Sequence, residues 1–373
     1  MNKALYNCHN LVQKIGDYES VYEIVAPKKW MLVVDSSFNF LPDIVKDIYF
    51  KHKDNCVLFN SFTPNPSYED VCKGVDLFKL HNCSLIVAIG GGSTIDVAKC
   101  IKLFSRLDPS TNYLFQKDSY ENESDINSIV VPTTAGTGSE ATRHAVIYFE
   151  GKKQSICTKQ IIPDVVILEP SVLKTLPSYQ KKATMFDALC QACESWWSRS
   201  SDDESIIYSK LAITKIIDNW QKYNLEGFYS EDVALDMLKA ANCSGKAINI
   251  TATTAAHAMS YKLSSLYNLP HGIAVALCFP VVWKHMLDKN NEELNKVFVE
   301  IAKAFRCGST AFAILYFKKM LEDLGIKNPV SKTKEADLDV LVNSINPERL
   351  SNNPILFDKN ELKEMYGEIV YES

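Results

Sequence analysis

No stretch of the 373-residue sequence has the roughly 18 consecutive apolar residues of a membrane span, and the amino-terminal residues lack the apolar core of a signal peptide. Lysine and arginine form no long runs, and the formal net charge is −5. This charge argues against a protein that binds nucleic acid or an anionic membrane. We therefore expect a cytoplasmic protein with neither kind of partner, in which any anionic ligand is bound by local groups.

Closely spaced cysteines are also scarce. The eleven cysteines are scattered singly, apart from Cys190 and Cys193, whose CxxC spacing lies inside a helical pattern. Because no second pair accompanies them, a zinc ribbon or a redox site is the less favoured reading, and a reducing compartment is the simpler one.

Two domains are predicted, because 373 residues exceed what one ordinary core holds. Residues 1–170 alternate apolar runs with helical patterns, which predicts a doubly wound, mostly parallel α/β sheet. The strand candidates are residues 31–35, 56–59, 85–89, 129–131 and 165–168. A β-hairpin is predicted, with strands at 145–149 and 154–157 and a three-residue turn at 150–152. Residues 171–373 have apolar residues at helical spacing and predict an all-α domain.

A glycine turn between a strand and a helix is the first candidate site. Residues 85–89 are apolar, Gly90, Gly91 and Gly92 follow, and a helical pattern begins near Ser93. Backbone N–H groups at such a helix start attract phosphate, and glycines let it approach. We expect Ser93 to cap the helix or donate its hydroxyl. A tight turn without a ligand is the alternative, and the spacing fits neither GxGxxG nor GxxxxGK[ST].

Two further segments predict nucleotide contacts. Asp35 ends the first clear strand, where a carboxylate can accept hydrogen bonds from an adenosine ribose and repel a 2′-phosphate, which favours NAD over NADP. An ordinary turn aspartate is the alternative. The small, hydroxyl-rich residues 132–140 follow another strand and predict a second phosphate or nicotinamide contact, with a solvated turn as the alternative.

A metal site is the third candidate. Asp187 and Gln191 are four residues apart and share one helix face. His257 and His271 would lie about 21 Å apart on a continuous helix, so they can share a site only if the chain turns, which Pro270 favours. A carboxylate and two imidazoles suit Fe²⁺ or Zn²⁺. Hydrogen-bonded structural histidines are the alternative.

These segments together resemble the iron-containing (group III) alcohol dehydrogenases. The matching motifs are GGGSTIDVAK at 90–99, PTTAGTGSE at 132–140, DALCQ at 187–191, HAM at 257–259 and PHG at 270–272. The resemblance implies a Rossmann-like domain, a helical domain and an active cleft between them, the fold that dehydroquinate synthase shares. It also implies an NAD cofactor, with NADP as an option, and is compatible with a homodimer.

The resemblance also implies which residues bind the metal and the cofactor. The metal ligands would be Asp187, His257 and His271, with Gln191 where relatives usually have a histidine. The cofactor would be lined, beside Asp35, by Gly91, Gly92, Ser93, Thr133, Thr134, Thr137 and Lys153. Tyr261 stands where many relatives carry another histidine, and a phenol with its pKa near 10 is a poorer proton relay at neutral pH.

The chemistry implied is hydride transfer between NAD(H) and a small aldehyde or alcohol at a Lewis-acidic metal. His271, Lys246 and Arg143 are the predicted catalytic residues. Lys246 stands among small and apolar residues and so needs a partner, which an anionic substrate would supply. It reaches His257 only if the chain bends near residues 245 or 251–254. The combination of Arg143, Lys153 and Lys246 resembles that of the family branch that reduces phosphonoacetaldehyde to 2-hydroxyethylphosphonate.

Other functions stay open from the sequence. A reductase for neutral aldehydes would leave these cations exposed or paired with carboxylates. A metal-dependent cyclase or lyase of the same fold would use NAD without consuming it. A nucleotide-binding protein without catalysis would follow if Gln191 abolished metal binding.

Overall fold

A computed structural model describes residues 12–15 and 19–372 of the chain. These residues form two compact units. One contains the described residues up to Thr134, together with Gly138–Leu176 and Tyr229–Leu238. The other contains Ala135–Thr137, Pro177–Phe228 and the chain from Lys239 onward. The predicted boundary at 170/171 stays a prediction, since the two units interleave in sequence.

The first unit is built on strands. They are β1 (Val12–Ile15), β2 (Trp30–Val34), β3 (Cys56–Phe59), β4 (Leu85–Gly90), β5 (Asn127–Pro132), β6 (His144–Phe149), β7 (Lys152–Cys157) and β8 (Val165–Leu168). Six of them form one sheet in the order β1-β8-β5-β4-β2-β3, with every neighbouring pair parallel. The predicted parallel α/β sheet is confirmed. Strand β1 was not predicted.

Four helices accompany these strands: α1 (Glu19–Val25), α2 (Asp43–His52), α3 (Tyr68–Leu80) and α4 (Gly92–Phe104). All six residues of β4 are buried, and they pack with α4 around Ile86, Ala88 and Phe104. A continuous apolar run is what a strand covered on both faces requires.

The strand order reverses at β2. The chain goes from β2 to β3 on one side and then to β4 on the other side of β2. Ligands of open α/β sheets bind at the carboxyl ends of strands where the order reverses. Asp35 follows β2 and Gly91 follows β4, so both lie at that edge.

The predicted hairpin is present as β6 and β7, which pair antiparallel. Glu150 and Gly151 have φ of 50° and 70° and form a two-residue turn between them. Two residues with positive φ fit the twist of a tight hairpin. The turn is one residue shorter than predicted, because Lys152 already pairs with Phe149.

From residue 178 the chain is almost entirely helical, as predicted. The helices are α5 (Ser178–Trp197), α6 (Asp203–Asn224), α7 (Glu231–Ile250), α8 (Ala255–Tyr267), α9 (His271–Asp288), α10 (Glu292–Ala304), α11 (Thr310–Asp323), α12 (Lys334–Asn343), α13 (Pro347–Leu350) and α14 (Lys359–Ile369). Two short strands, β9 (Val330–Ser331) and β10 (Tyr371–Glu372), pair in parallel.

The core of the second unit contains an aromatic cluster of Trp197, Phe279, Trp283 and Phe298. Within residues 12–15 and 19–372, no helix is long and apolar enough to cross a membrane.

Candidate active site

One face of α5 carries three polar side chains that are buried in the second unit. Asp187, Gln191 and Glu194 are spaced by four and three residues, so they lie on the same side of the helix. They are only 3%, 5% and 0% exposed. Buried polar groups require partners, so this face must be met by donors or cations from other elements.

Two histidines meet Asp187. Its Oδ1 lies 3.3 Å from Nε2 of His257 and 3.9 Å from Nε2 of His271. One ligand atom from each of the three residues can be chosen so that all lie within 4.8 Å of one another. The ring centroids of the two histidines are 5.5 Å apart. One carboxylate and two imidazoles therefore form a compact cluster with the donor atoms that a metal ion requires.

The chain turn that the sequence required between the histidines is confirmed. Helix α8 ends at Tyr267, Asn268 adopts a left-handed conformation with φ of 49°, and α9 begins at His271. Gly272 then packs against α5 so closely that a Cβ there would lie 2.0 Å from the carbonyl oxygen of Ala183. The glycine therefore lets the start of α9 approach α5, and this approach places His271 beside Asp187.

Glu194 organises the other histidine. Its Oε1 accepts hydrogen bonds from the backbone N–H groups of Thr254, Ala256 and His257 and from the hydroxyl of Thr254, at 2.8–3.3 Å. Its Oε2 contacts Nδ1 of the His257 ring. The carboxylate thus caps the N-terminus of α8, where negative charge is stabilised, and fixes the orientation of the imidazole.

The charge state of His257 follows from these neighbours. Burial on its own lowers the pKa of the imidazole, but Glu194 and Asp187 outweigh it and raise the pKa from 6.5 to about 9. Without a bound metal, His257 is therefore protonated at neutral pH and shares its two protons with two carboxylates. A divalent cation can take the place of the proton on Nε2.

Gln191 is held by a neighbouring helix. Its side-chain Oε1 accepts a hydrogen bond of 3.0 Å from the hydroxyl of Ser244 on α7. An amide oxygen has two lone pairs, so this bond uses one of them.

An aromatic and a cationic side chain extend the site beyond His271. The ring of Tyr261 stacks on that of His271, with centroids 5.4 Å apart and planes inclined by 8°. The guanidinium of Arg349, on α13, lies 4.8 Å from the centroid of the Tyr261 ring and donates a hydrogen bond to its hydroxyl. The ring of Tyr261 thus contacts both an imidazole and a guanidinium.

Lys246 is buried on α7, with 2% of its surface exposed. Its ammonium lies 5.6 Å from the centroid of the Tyr208 ring, and the Tyr208 hydroxyl donates to Glu204. The aromatic face gives the charge a partner within the protein. The predicted bend after Lys246 is present, because α7 ends at Ile250 and α8 begins at Ala255.

In the first unit, Asp35 joins the carboxyl end of β2 to the start of α4. Its Oδ1 accepts from the backbone N–H of Ser37 at 2.8 Å, and its Oδ2 accepts from the Thr94 hydroxyl at 2.7 Å. Asp35 therefore both caps the local turn and accepts a hydrogen bond from α4. Carboxylate oxygens have further lone pairs that a ribose hydroxyl can use.

The capping prediction for Ser93 is wrong. Helix α4 begins at Gly92, its N-cap is Gly91, and the cap makes no side-chain hydrogen bond. Ser93 lies inside the first turn, where its hydroxyl accepts from the N–H of Asn65 at 3.4 Å. Because glycine has no side chain to accept from them, the first N–H groups of α4 stay available to an anion.

Close packing explains the glycines of this turn. A Cβ on Gly90 would lie 2.4 Å from the Thr94 hydroxyl, and one on Gly91 would lie 3.3 Å from the Thr134 methyl group. Thr133 is buried and its N–H donates to the carbonyl of Gly90 at 3.0 Å. The two predicted nucleotide segments thus lie side by side in this unit.

The other predicted residues are less enclosed. Thr137 and Arg143 are half-buried, and the carbonyl of Arg143 accepts from Thr158 N–H at 3.0 Å. Lys153 is exposed on β7.

Sequence reasoning gave no role to Lys99, the last residue of the first motif. Its buried ammonium donates to both oxygens of Thr142, to the carbonyl of His144 and to the hydroxyl of Ser139, at 2.7–3.2 Å. Burial lowers the pKa of Lys99 to about 8, although Asp96 opposes the shift. Lys99 therefore fixes the chain that follows the second motif to α4.

Comparison with models of known protein families identifies the family of this chain. The iron-containing alcohol dehydrogenase model matches residues 8–170, and the C-terminal model of the Fe-containing alcohol dehydrogenase family matches residues 181–370. The chain belongs to the iron-containing alcohol dehydrogenase family. It is therefore an oxidoreductase that acts on an alcohol or an aldehyde, as the sequence predicted.

Individual relatives of this iron-containing alcohol dehydrogenase are distant. The NAD-dependent methanol dehydrogenase of Bacillus methanolicus is 28% identical over 335 residues, 85% of each chain. The 4-hydroxybutyrate dehydrogenase of Clostridium kluyveri is 28% identical over 294 residues, 76% of this chain and 78% of that one. A crystal structure of 1,3-propanediol oxidoreductase superposes with a TM-score of 0.83 at 25% identity, covering 95% of this chain and 97% of that one. Substrates vary among these names.

Two residues of this alcohol dehydrogenase site were missed as functional candidates. Glu194 has a signal in the sequence, because it lies seven residues after Asp187 and so falls on the same helix face. Arg349 has none, since 78 residues separate it from His271 and only tertiary structure brings them together.

Proposed function

We propose that the protein transfers hydride between NAD(H) and a small aldehyde at a divalent metal, and that it reduces phosphonoacetaldehyde to 2-hydroxyethylphosphonate. The observation that carries the proposal is the buried cluster of Asp187, His257 and His271, with Glu194 behind His257. Carboxylates and imidazoles are ligands of Fe²⁺ and Zn²⁺, and a carboxylate behind a ligating histidine is typical of metal sites.

The donor set fits such a metal. Asp187, His257 and His271 would be its protein ligands, and three protein ligands leave room for a substrate oxygen. Gln191 would add its amide oxygen through the lone pair that Ser244 does not use, or would remain a neutral neighbour. When bound, the metal draws electron density from the carbonyl oxygen and NADH supplies hydride to the carbonyl carbon.

The chain's own groups prepare this chemistry. Glu194 holds the proton on Nδ1 of His257, which keeps Nε2 as the atom available to the metal. His271 is the least buried of the three, with 40% of its side chain exposed, so the substrate would approach on its side. The phenol of Tyr261, held by Arg349, stands where relatives carry a histidine, so the product alkoxide would receive its proton through water or the cofactor ribose.

The cofactor would bind in the first unit. The uncapped N-terminus of α4, at Gly91, Gly92 and Ser93, would receive the pyrophosphate, and Asp35 would accept from the ribose hydroxyl of NAD and disfavour NADP. The remaining contacts would come from Thr133, Thr134, Thr137 and Lys153. The name of the Bacillus methanolicus relative, an NAD-dependent dehydrogenase, agrees with this cofactor.

The substrate would be anionic. Lys246 and Arg143 are the cations that the sequence predicts for this role, and the Clostridium kluyveri relative is named for a hydroxy acid. A neutral substrate is the second candidate, because a structural neighbour is named for 1,3-propanediol.

Steady-state kinetics of the metal-loaded protein tests the proposal. We expect kcat/KM with NADH to be higher for phosphonoacetaldehyde than for propanal, and higher than with NADPH. Faster turnover of propanal would overturn the anionic substrate. Absence of Fe²⁺ or Zn²⁺ binding by metal analysis would favour a nucleotide-binding protein without catalysis. Product formation without net oxidation of NADH would favour a cyclase or lyase.

A further inference from the structure

We infer that Arg349 binds the acid group of the substrate, an inference that rests on the proposed reduction of an anionic aldehyde. The guanidinium packs over Tyr261, and Tyr261 stacks in turn on His271, a proposed metal ligand. The guanidinium carbon lies 4.8 Å from the centroid of the Tyr261 ring, and that centroid lies 5.4 Å from the centroid of the His271 ring.

The charge of Arg349 is available for a ligand. Both contacts of the guanidinium within the described residues are with Tyr261, through the ring face and the hydroxyl, and neither neutralises its charge. A guanidinium has five N–H donors, so most of them remain for an anion. The planar fork matches a phosphonate, sulfonate or carboxylate with two parallel hydrogen bonds, which a lysine cannot offer.

Arg349 is also positioned by the same turn that positions His257. Asn352, three residues later, donates from Nδ2 to the carbonyls of Ala252 and Thr253 at 3.1 Å each. The neighbouring Asn353 is fully buried and accepts from the N–H of Ala255 at 3.4 Å. The segment that carries Arg349 is therefore bonded to the turn from which α8 and its histidine begin.

The length of the substrate agrees with this location. Phosphonoacetaldehyde has one methylene group between its carbonyl carbon and its phosphorus atom, so an acid group bound with the carbonyl at the metal must stay close to the cluster. The two ring contacts keep the guanidinium carbon within about 10 Å of the centroid of the His271 ring, so the acid group of a short molecule would need to extend only towards Tyr261. A phosphonate carries up to two negative charges, so Arg349 would act beside Lys246 and would not replace it.

The test compares Arg349→Gln with the unchanged protein on two aldehydes. Losing a hydrogen-bonded charge pair should raise the KM for phosphonoacetaldehyde by about 10- to 100-fold. The kcat/KM for propanal should stay within about threefold, because the neutral aldehyde has no acid group to bind. Arg349→Lys should restore part of the loss. Arg306→Gln is the matched control, since Arg306 pairs with Asp218 on the surface of the same unit.

A binding measurement separates the two proposals. Calorimetry with methylphosphonate on the metal-loaded protein should show weaker binding in Arg349→Gln by a similar factor. If the unchanged enzyme prefers phosphonoacetaldehyde but neither KM nor Kd moves in the variant, this inference is wrong and the proposed function stands. If propanal reduction falls equally, Arg349 only supports Tyr261 and the inference is also wrong. If the unchanged protein neither prefers the acid aldehyde nor binds methylphosphonate, both proposals fail.

Discussion

Glu194 provides the sharpest test of the metal site, because its two oxygens have different tasks. Oε1 receives four hydrogen bonds from the start of α8, whereas Oε2 faces Nδ1 of His257. In Glu194→Gln the amide oxygen can keep the first four bonds. The amide nitrogen then takes the place of Oε2 and presents N–H groups to Nδ1.

The expected damage follows from the tautomer of His257. Facing an N–H donor, a neutral imidazole must accept at Nδ1 and carry its proton on Nε2. Nε2 is the atom that lies 3.3 Å from Asp187 and would bind the metal. Changing a partner that orients a ligating histidine typically costs 10- to 100-fold in metal affinity, which corresponds to about 1.4–2.7 kcal/mol. Folding should suffer less, because the cap on α8 is retained.

Titration of the metal-free protein with Zn²⁺ or Co²⁺ against a chromophoric chelator measures this affinity, and thermal unfolding of the same samples reports the fold. Glu300→Gln is the control, since Glu300 pairs with Lys303 on the surface. A Glu194→Gln protein that is folded and binds metal within twofold of the unchanged protein would refute the role assigned to Glu194.

Three further predictions concern the same unit. Gly272→Ala should lower metal affinity and lower the free energy of unfolding by at least about 1–3 kcal/mol through overpacking, because the new Cβ would lie 2.0 Å from the Ala183 carbonyl oxygen. Gly367→Ala is the control: a Cβ there has no neighbour within 4 Å, so thermal unfolding and metal titration should be nearly unchanged. Lys246→Met should raise the KM for phosphonoacetaldehyde and leave that for propanal nearly unchanged, and an equal change in both would assign Lys246 to packing alone. Metal binding near pH 7 should release about one proton, because the raised pKa of His257 keeps the imidazole protonated in the metal-free site. Fewer protons should be released as the pH rises past about 9. Calorimetry in buffers of different ionisation enthalpy counts the protons, and a count of zero near pH 7 would contradict this charge state.

Much of the fold follows from local patterns in the sequence. Strand β4 was predictable because Leu85–Gly90 is a short apolar run ended by glycines, and the break before His271 was predictable because proline and glycine flank it. Strand β1 was not predicted, since the four residues Val12–Ile15 have no pattern that separates them from a loop.

The sequence predicts the residue types of the site and the helix faces that carry them, but it does not predict their hydrogen-bond partners. The spacing of Asp187 and Gln191 puts both on one face, yet it says nothing of the Ser244 hydroxyl that binds Gln191. Capping was one of the two roles expected of Ser93, because serine favours that position, whereas the N-cap is Gly91, two residues earlier, and close packing against Thr94 requires the glycine at position 90. Contacts of this kind depend on tertiary structure.

Charge balance explains why an anionic substrate would need cations of its own. A divalent metal bound by Asp187 carries two positive charges, and that carboxylate together with Glu194, acting through His257, compensates both. The metal cluster would then present little net charge to an acid group on the substrate. A phosphonate entering a partly buried site without a counter-ion would lose its hydration with no compensation. Under the two proposals, the guanidinium of Arg349 and the ammonium of Lys246 would supply that compensation outside the ligand set, so the groups that select the substrate would be separate from those that activate it.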